Sequence, residues 1–257
     1  MQSIKNKIIL VTGASSGIGE ACARLFASKG AKLILCARRT ERIEQLASEL
    51  NRFNNVDCLP VSLDVRFKEN VEQVLLPLPS AWQEIDVLIN NAGLALSSDS
   101  IQEGSLENWD RMIDTNVKGL LYISRCILPG MMERGRGHIV NVGSIAGQEC
   151  YPGGNVYCAT KHAVRAITKS MRLDLLGSPI RITEIAPGAV ETEFSEVRWG
   201  NRKKAQAFYE DFTPLLAEDI ADAVYYCITR PPHVDIAEMT VMPTVQASAN
   251  HIHRDGK

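Results

Sequence analysis

The chain has 257 residues, 45% hydrophobic and 23% charged, the composition of an ordinary water-soluble globular protein long enough for a substantial core. Its formal net charge of -2, with no basic block, excludes the electrostatic footprint of a nucleic-acid or anionic-membrane binder. No apolar run approaches the length of a bilayer span and the start lacks a signal-peptide layout, so a cytoplasmic protein is expected.

Lys7 to Thr12 predicts a buried strand, followed by Gly13-Ala14-Ser15-Ser16-Gly17-Ile18-Gly19 and a helix to about Ser28. Lys32 to Ala37 predicts a second strand. Thr40 to Leu50 predicts a helix with Ile43, Leu46, Ala47 and Leu50 on one stripe. Val56 to Ser62 and Lys68 to Leu76 continue the alternation. Ile85 to Asn90 is a fourth strand running into Asn91-Ala92-Gly93, and a polar loop follows to Ser105. The next helix runs past Ile113 and Ile127, with a kink or early end expected at Pro129. His138 to Val142 is strand five, and Asn155 to Leu176 is a long helix. Ile180 to Ile185 is strand six, closed by Pro187-Gly188. The pattern loosens from Glu191 to about Thr213, where a short helix over Lys203 to Tyr209 is expected. Ala217 to Thr229 and Glu238 to Met242 give a last helix and strand.

Seven strands alternating with helices, without a linker, predict one domain over residues 1–257. The expected fold is a three-layer doubly wound Rossmann α/β architecture, with a mostly parallel seven-stranded sheet and helices on both faces. Seven scattered cysteines, an odd number, predict reduced thiols, and the histidines and cysteines form no metal-ligand spacing.

Two constellations carry chemistry. Gly13, Gly17 and Gly19 lie between a strand and a helix, where a tight turn, close backbone approach and free amides suit a diphosphate. Beyond the second strand stand Arg38 and Arg39 rather than an acidic residue. A guanidinium fork suits a 2′-phosphate, which favours NADP(H) over NAD(H); solvated loop charges are the alternative. Asp64 and Val65 are placed to flank the adenine.

The second constellation is Ser144 with Tyr157 and Lys161. Four residues apart on a helix, the phenol and the ammonium share a face, and a serine at a strand end reaches that face from the side. A tyrosine that works as a base near neutrality needs roughly 3 to 4 kcal/mol of preferential phenolate stabilisation, which a nearby ammonium in a desolvated site supplies.

Taken together, Thr12 to Gly19, Asn90-Asn91-Ala92-Gly93, Asn116, Ser144, Tyr157-Cys158-Ala159-Thr160-Lys161, and Pro187-Gly188 followed by Thr192 resemble the short-chain dehydrogenase/reductase family over essentially the full length. The resemblance implies reversible oxidation of an alcohol with NADP(H), with Tyr157 as general acid/base. Lys161 would lower its pKa and hold the nicotinamide ribose, Ser144 would orient the substrate oxygen, and Asn116 would retain a water leading to solvent. It further implies that Gly13, Ser15, Ser16, Gly17, Ile18 and Gly19 surround the diphosphate, that Asn91, Ala92 and Gly93 lie beside the adenosine ribose, and that Pro187, Gly188, Val190 and Thr192 border the cofactor. A homotetramer built on long helices is also implied.

Within the family, Gly153 to Tyr157, Thr192-Glu193-Phe194-Ser195 with Val197-Arg198, Glu238 to Pro243 and the tail near Arg254 are similar to NADP-dependent 3-hydroxy acid dehydrogenases acting on serine, allo-threonine and 3-hydroxyisobutyrate-type substrates. Such substrates need a carboxylate anchor. Arg198, in the loosely patterned segment that would cover the site, is the candidate, with Arg202, Lys203, Lys204 and Arg254 as rivals. A carbonyl reductase of broad specificity is the same-fold alternative, in which the aromatic residues of that segment matter more than Arg198. An NADP-binding sensor without turnover is the alternative of another class.

Overall fold

The structure, a computed structural model, describes residues 2–255; Met1, Gly256 and Lys257, the ends of the expected 1–257 domain, lie outside the described residues. Seven strands form one sheet: β1 (Ile8–Thr12), β2 (Lys32–Ala37), β3 (Cys58–Ser62), β4 (Ile85–Asn90), β5 (Gly137–Val142), β6 (Ile180–Pro187) and β7 (Glu238–Val241). Their order is β3-β2-β1-β4-β5-β6-β7 and every pairing is parallel. Near-continuous apolar runs such as Ile8 to Val11 belong in a sheet buried on both faces.

Successive β1 and β2 residues serve opposite layers. Ile9, Val11, Leu33 and Leu35 meet α1 (Gly17–Ser28), α2 (Thr40–Asn54) and α9 (Ala217–Ile228) through Phe26, Ile43, Leu46 and Val224. Leu10, Ile34 and Leu88 meet α3 (Lys68–Leu75), α5 (Leu120–Glu133) and α6 (Asn155–Asp174) through Val71, Ile123, Met131 and Met171. Burying each large side chain contributes about 1.5 to 3 kcal/mol, which fixes both layers. Strand order reverses between β1 and β4, so a crevice opens beyond their carboxyl ends.

The early end expected as one outcome at Pro129 does not occur: α5 runs through it to Glu133. Burial of Ile127 and Met131 on either side of Pro129 holds the helix against the sheet despite the missing N–H. The irregularity lies earlier, where α4 (Leu106–Ile113) passes into α5 through a π-helical turn at Asp114–Gly119. The 191–213 segment contains two helices rather than one, α7 (Glu193–Trp199) and α8 (Arg202–Tyr209).

Candidate active site

The carboxyl ends of β1, β2, β4, β5 and β6 and the segment carrying α7 and α8 enclose a cleft of about 860 Å³. At one end lies the glycine loop. Gly13 and Gly17 have left-handed φ values of 67° and 55°. A Cβ on Gly13 would lie 2.9 Å from Asn91 Nδ2, and one on Gly19 would run into the Gly13 carbonyl. Hydrogen bonds from Asn91 Nδ2 to Thr12 O at 2.9 Å and from Ala92 N to Thr12 Oγ1 at 3.0 Å tie the loop to the end of β4. Ser15, Ser16, Ile18, Arg38, Arg39, Asp64, Val65, Pro187, Gly188, Val190 and Thr192 also border the cleft. The Asp64 carboxyl is held below its usual range by Arg66, against its burial, with Arg38 assisting. A glycine-lined backbone, two arginines and an open floor fit a dinucleotide carrying an extra phosphate.

At the other end, Tyr157 and Lys161 leave the first turns of α6, both nearly buried. Lys161 Nζ donates to Val142 O at 2.9 Å and lies 5.9 Å from the Tyr157 ring centroid. Ser144 caps the short turn after β5, its Oγ accepting from Ala146 N at 3.1 Å. Burial pushes the Tyr157 phenol above its ordinary value, and Tyr151 pushes the same way; hydrogen bonding to Ser144 and the charge of Arg198 draw it down. The protein's own groups therefore hold Tyr157 as a neutral phenol at pH 7, opposite to the depression a base requires, because desolvation outweighs them. Burial lowers Lys161 to about 8, opposed by Glu184. Glu184, 1% exposed on β6, is raised to about 7 by burial and by Glu238, while Arg165, Lys161 and Lys169 pull it down.

Asn116 does not border the cleft. The π-helical turn directs its amide beneath the floor, where Oδ1 accepts from Leu94 N at 2.8 Å and Nδ2 donates to Leu94 O at 2.8 Å and Thr160 Oγ1 at 3.0 Å. Both amide hydrogens are thus spent on structure, and the side chain clamps the loop after β4 to α6. A Cβ on Gly93 would lie 3.3 Å from Asn116 Oδ1 and 3.5 Å from Lys161 Nζ, so glycine keeps the space between them open.

Helix α7 bolts across the cleft. Its cap Thr192 lies over the glycine loop, 3.2 Å from a Cβ on Gly17, and its far end bonds to the loop after β4, Ser97 N to Arg198 O at 2.7 Å. Phe194 packs at a tilt of 56° with its ring centroid 5.6 Å from that of Tyr157, and Trp199, Phe208, Tyr209 and Phe212 form a linked aromatic cluster. The Arg198 guanidinium turns inward: Nη1 donates to Tyr151 Oη at 3.0 Å, and Cζ lies 6.0 Å from the Tyr157 ring centroid. Its bonds to Ser97 O and Gly153 O are long, 3.4 Å each, which leaves donor capacity for a ligand. Of the rivals, Arg254 also borders the cleft, giving Nη1 to Phe208 O and Glu210 O with its guanidinium over the Phe212 ring, and Arg202 lies outward near Glu196. Lys204 borders the cleft but lies over Trp199.

Sequence reasoning missed Tyr151, which holds Arg198, and Gln246, whose Oε1 accepts from Ala189 N at 2.8 Å and props the turn after β6. It also missed Glu193 and Arg42, joined at 2.7 Å beside Arg39. No local pattern marks these residues; their partners lie 47 to 151 positions away. Among the described residues no cluster of His, Cys, Asp or Glu is placed to hold a metal ion, and no helix is long and apolar enough to cross a membrane.

The family described as short chain dehydrogenase matches residues 7–203. The NADP-dependent 3-hydroxy acid dehydrogenase YdfG of Salmonella typhi is 48% identical over 250 residues, covering 96% of this chain and 99% of that protein. Sulfoacetaldehyde reductase 2 of Chromohalobacter salexigens is 47% identical over 251 residues, with 96% and 99% covered. Among solved structures, the closed form of a serine dehydrogenase complexed with NADP+ superimposes with a TM-score of 0.89 at 46% identity, covering 96% of this chain and all of that one.

Proposed function

The chain belongs to the short-chain dehydrogenase family, and from that premise we propose that it reversibly oxidises the hydroxyl of short 3-hydroxy acids of the serine, allo-threonine and 3-hydroxyisobutyrate type. At the coarser level it is an NADP-dependent oxidoreductase acting on small hydroxy or keto substrates. The observation that carries the finer reading is Arg198. Its guanidinium stands at the Tyr157 end of the cleft, braced by Tyr151 Oη at 3.0 Å, and a carboxylate can use its fork while the hydroxyl on the third carbon faces Tyr157.

NADP(H), when bound, would supply or accept the hydride. In reduction, Tyr157, kept neutral by burial, donates its proton to the substrate carbonyl oxygen while Ser144 hydrogen-bonds that oxygen. In oxidation the hydroxyl would give its proton to the Tyr157 phenolate, a form that burial disfavours and that the ammonium of Lys161, anchored on Val142 O, would have to stabilise. Asn116 fixes the loop bearing Gly93 and Leu94 through its side chain, and in this reading it also helps to retain a water leading from Lys161 towards solvent. Gly13 to Gly19, Asn91 to Gly93 and Pro187 to Thr192 would hold the dinucleotide, Arg38 and Arg39 its adenosine phosphate, and Asp64 and Val65 the adenine edge.

The reading includes one cofactor-binding domain with residues 191–213 as its cover, and a cytoplasmic homotetramer. Free cysteine thiols among the described residues and the exposed Leu106, Ile113, Leu121, Leu173 and Leu176 on α4 to α6 and just beyond α6 support these parts. A panel of serine, allo-threonine, 3-hydroxyisobutyrate and neutral secondary alcohols, followed by NADPH absorbance, tests the function. Higher kcat/KM on the neutral alcohols would replace the acid-specific reading with that of a broad carbonyl reductase.

A further inference from the structure

Arg39 spends its guanidinium in three directions. Nε donates to Ser15 Oγ at 3.1 Å and Nη2 to Ser16 Oγ at 2.6 Å, both on the glycine loop. Nη1 donates to Glu193 Oε2 at 2.7 Å, across the cleft on the first residue of α7. The same carboxylate is gripped by Arg42, whose Nη1 reaches Oε1 at 2.7 Å and Oε2 at 2.9 Å. Glu193 thus satisfies Arg39 with an anionic oxygen at the rim where the cofactor's adenosine phosphate would arrive.

We infer that Glu193 is a nucleotide-selectivity residue: its carboxylate occupies Arg39 as a phosphate surrogate, and the 2′-phosphate of NADP(H) must displace it, a cost that NAD(H) does not meet. The inference rests on the assignment of Arg39 to that phosphate. The exchange is open to solvent and reversible, since the Arg39, Arg42 and Glu193 side chains are 43%, 48% and 41% exposed. Arg42 holds both carboxylate oxygens while Arg39 holds one. Arg39 can therefore swing to the phosphate without stranding Glu193, which stays paired to Arg42 at the edge of the site. The residue lowers NADP(H) affinity by the fraction of molecules in which Arg39 is engaged. It also ties the start of α7 to the mouth of the cofactor cleft in the same state.

The test is direct nucleotide binding to the full-length protein by equilibrium fluorescence or calorimetry, with NADP+ and NAD+ as the probes. Replacing Glu193→Gln removes the charge and keeps the shape. NADP+ is expected to bind about two- to fivefold more tightly, the scale of exposed ion pairs, with NAD+ essentially unchanged. In Glu193→Gln combined with Arg39→Gln, the gain should vanish, as a double-mutant cycle requires for one shared contact. Unchanged or weaker NADP+ binding in Glu193→Gln overturns the inference, and equal weakening of both nucleotides reduces Glu193 to a fastener of α7. The Arg39→Gln variant separates the two levels. If it does not weaken NADP+ relative to NAD+, the phosphate assignment and the inference fall together. If it does, and Glu193→Gln is still without effect, the inference alone falls.

Discussion

Replacing Arg198 with methionine keeps the apolar stem of the side chain and removes the guanidinium with its charge. A unit charge pair about 4 Å apart at an effective dielectric near 20 is worth about 4 kcal/mol, and hydrogen bonds to charged groups contribute roughly 1.5 to 3 kcal/mol net. Part of that is recovered, because Tyr151 Oη, freed from Nη1 at 3.0 Å, can turn its own proton toward the carboxylate. A net loss of about 2 to 3 kcal/mol remains, or roughly 30- to 150-fold in kcat/KM. The backbone bond from Ser97 N to Arg198 O survives the substitution, so the end of α7 stays in place. The assay compares allo-threonine with its amide, and 3-hydroxyisobutyrate with its methyl ester, by initial NADPH rates. Acids should lose the full factor and the neutral partners less than about threefold. Arg198→Lys, which keeps the charge without the fork, should fall between. Equal losses on acid and neutral partners would refute the anchor and leave Arg198 a brace for the aromatic cover.

Tyr157→Phe should lower kcat by about 10²- to 10⁴-fold with NADP+ binding nearly unchanged; turnover at the normal rate in stopped-assay controls would dismiss the phenol as proton carrier. Neutralising Arg38 and Arg39 together should cut the NADP-to-NAD ratio of kcat/KM by about 100-fold or more, and an unaltered ratio would remove both from the phosphate site. Glu184 gives a stability prediction. It ionises near 4.5 when unfolded and near about 7 when folded, so between those values the folded state holds a proton that the unfolded state has released. Stability is therefore expected to fall as pH rises through that window, by an upper limit of about 3 kcal/mol, and Glu184→Gln should flatten the slope in urea titrations. Lys161, lowered to about 8 from 10.5, acts in the other direction, with stability rising between those values. A slope between pH 5 and 7 identical in wild type and Glu184→Gln would place the titration elsewhere.

The elements that bury one face against the sheet were readable because burial imposes a period: Ile8 to Val11 as strand, Ile43, Leu46 and Leu50 as one helix stripe. The glycine loop was readable for a related reason, since Gly13, Gly17 and Gly19 answer a purely local demand for left-handed turns and close backbone approach. Tyr157 and Lys161 share one helix, so their spacing alone put them on one face. Nothing comparable announces α7, a seven-residue helix with Ser195 as its one fully buried side chain. Nor does local sequence say that Arg39 meets Glu193, that Tyr151 braces Arg198, or that the π-helical turn takes Asn116 below the floor of the cleft. Those are choices among partners far apart in the chain, made when the packed sheet brings particular loops to one rim. The linear order therefore determines which chemistry this protein carries, and the fold decides which cation lines the Tyr157 end of the cleft and which is already answered by a carboxylate.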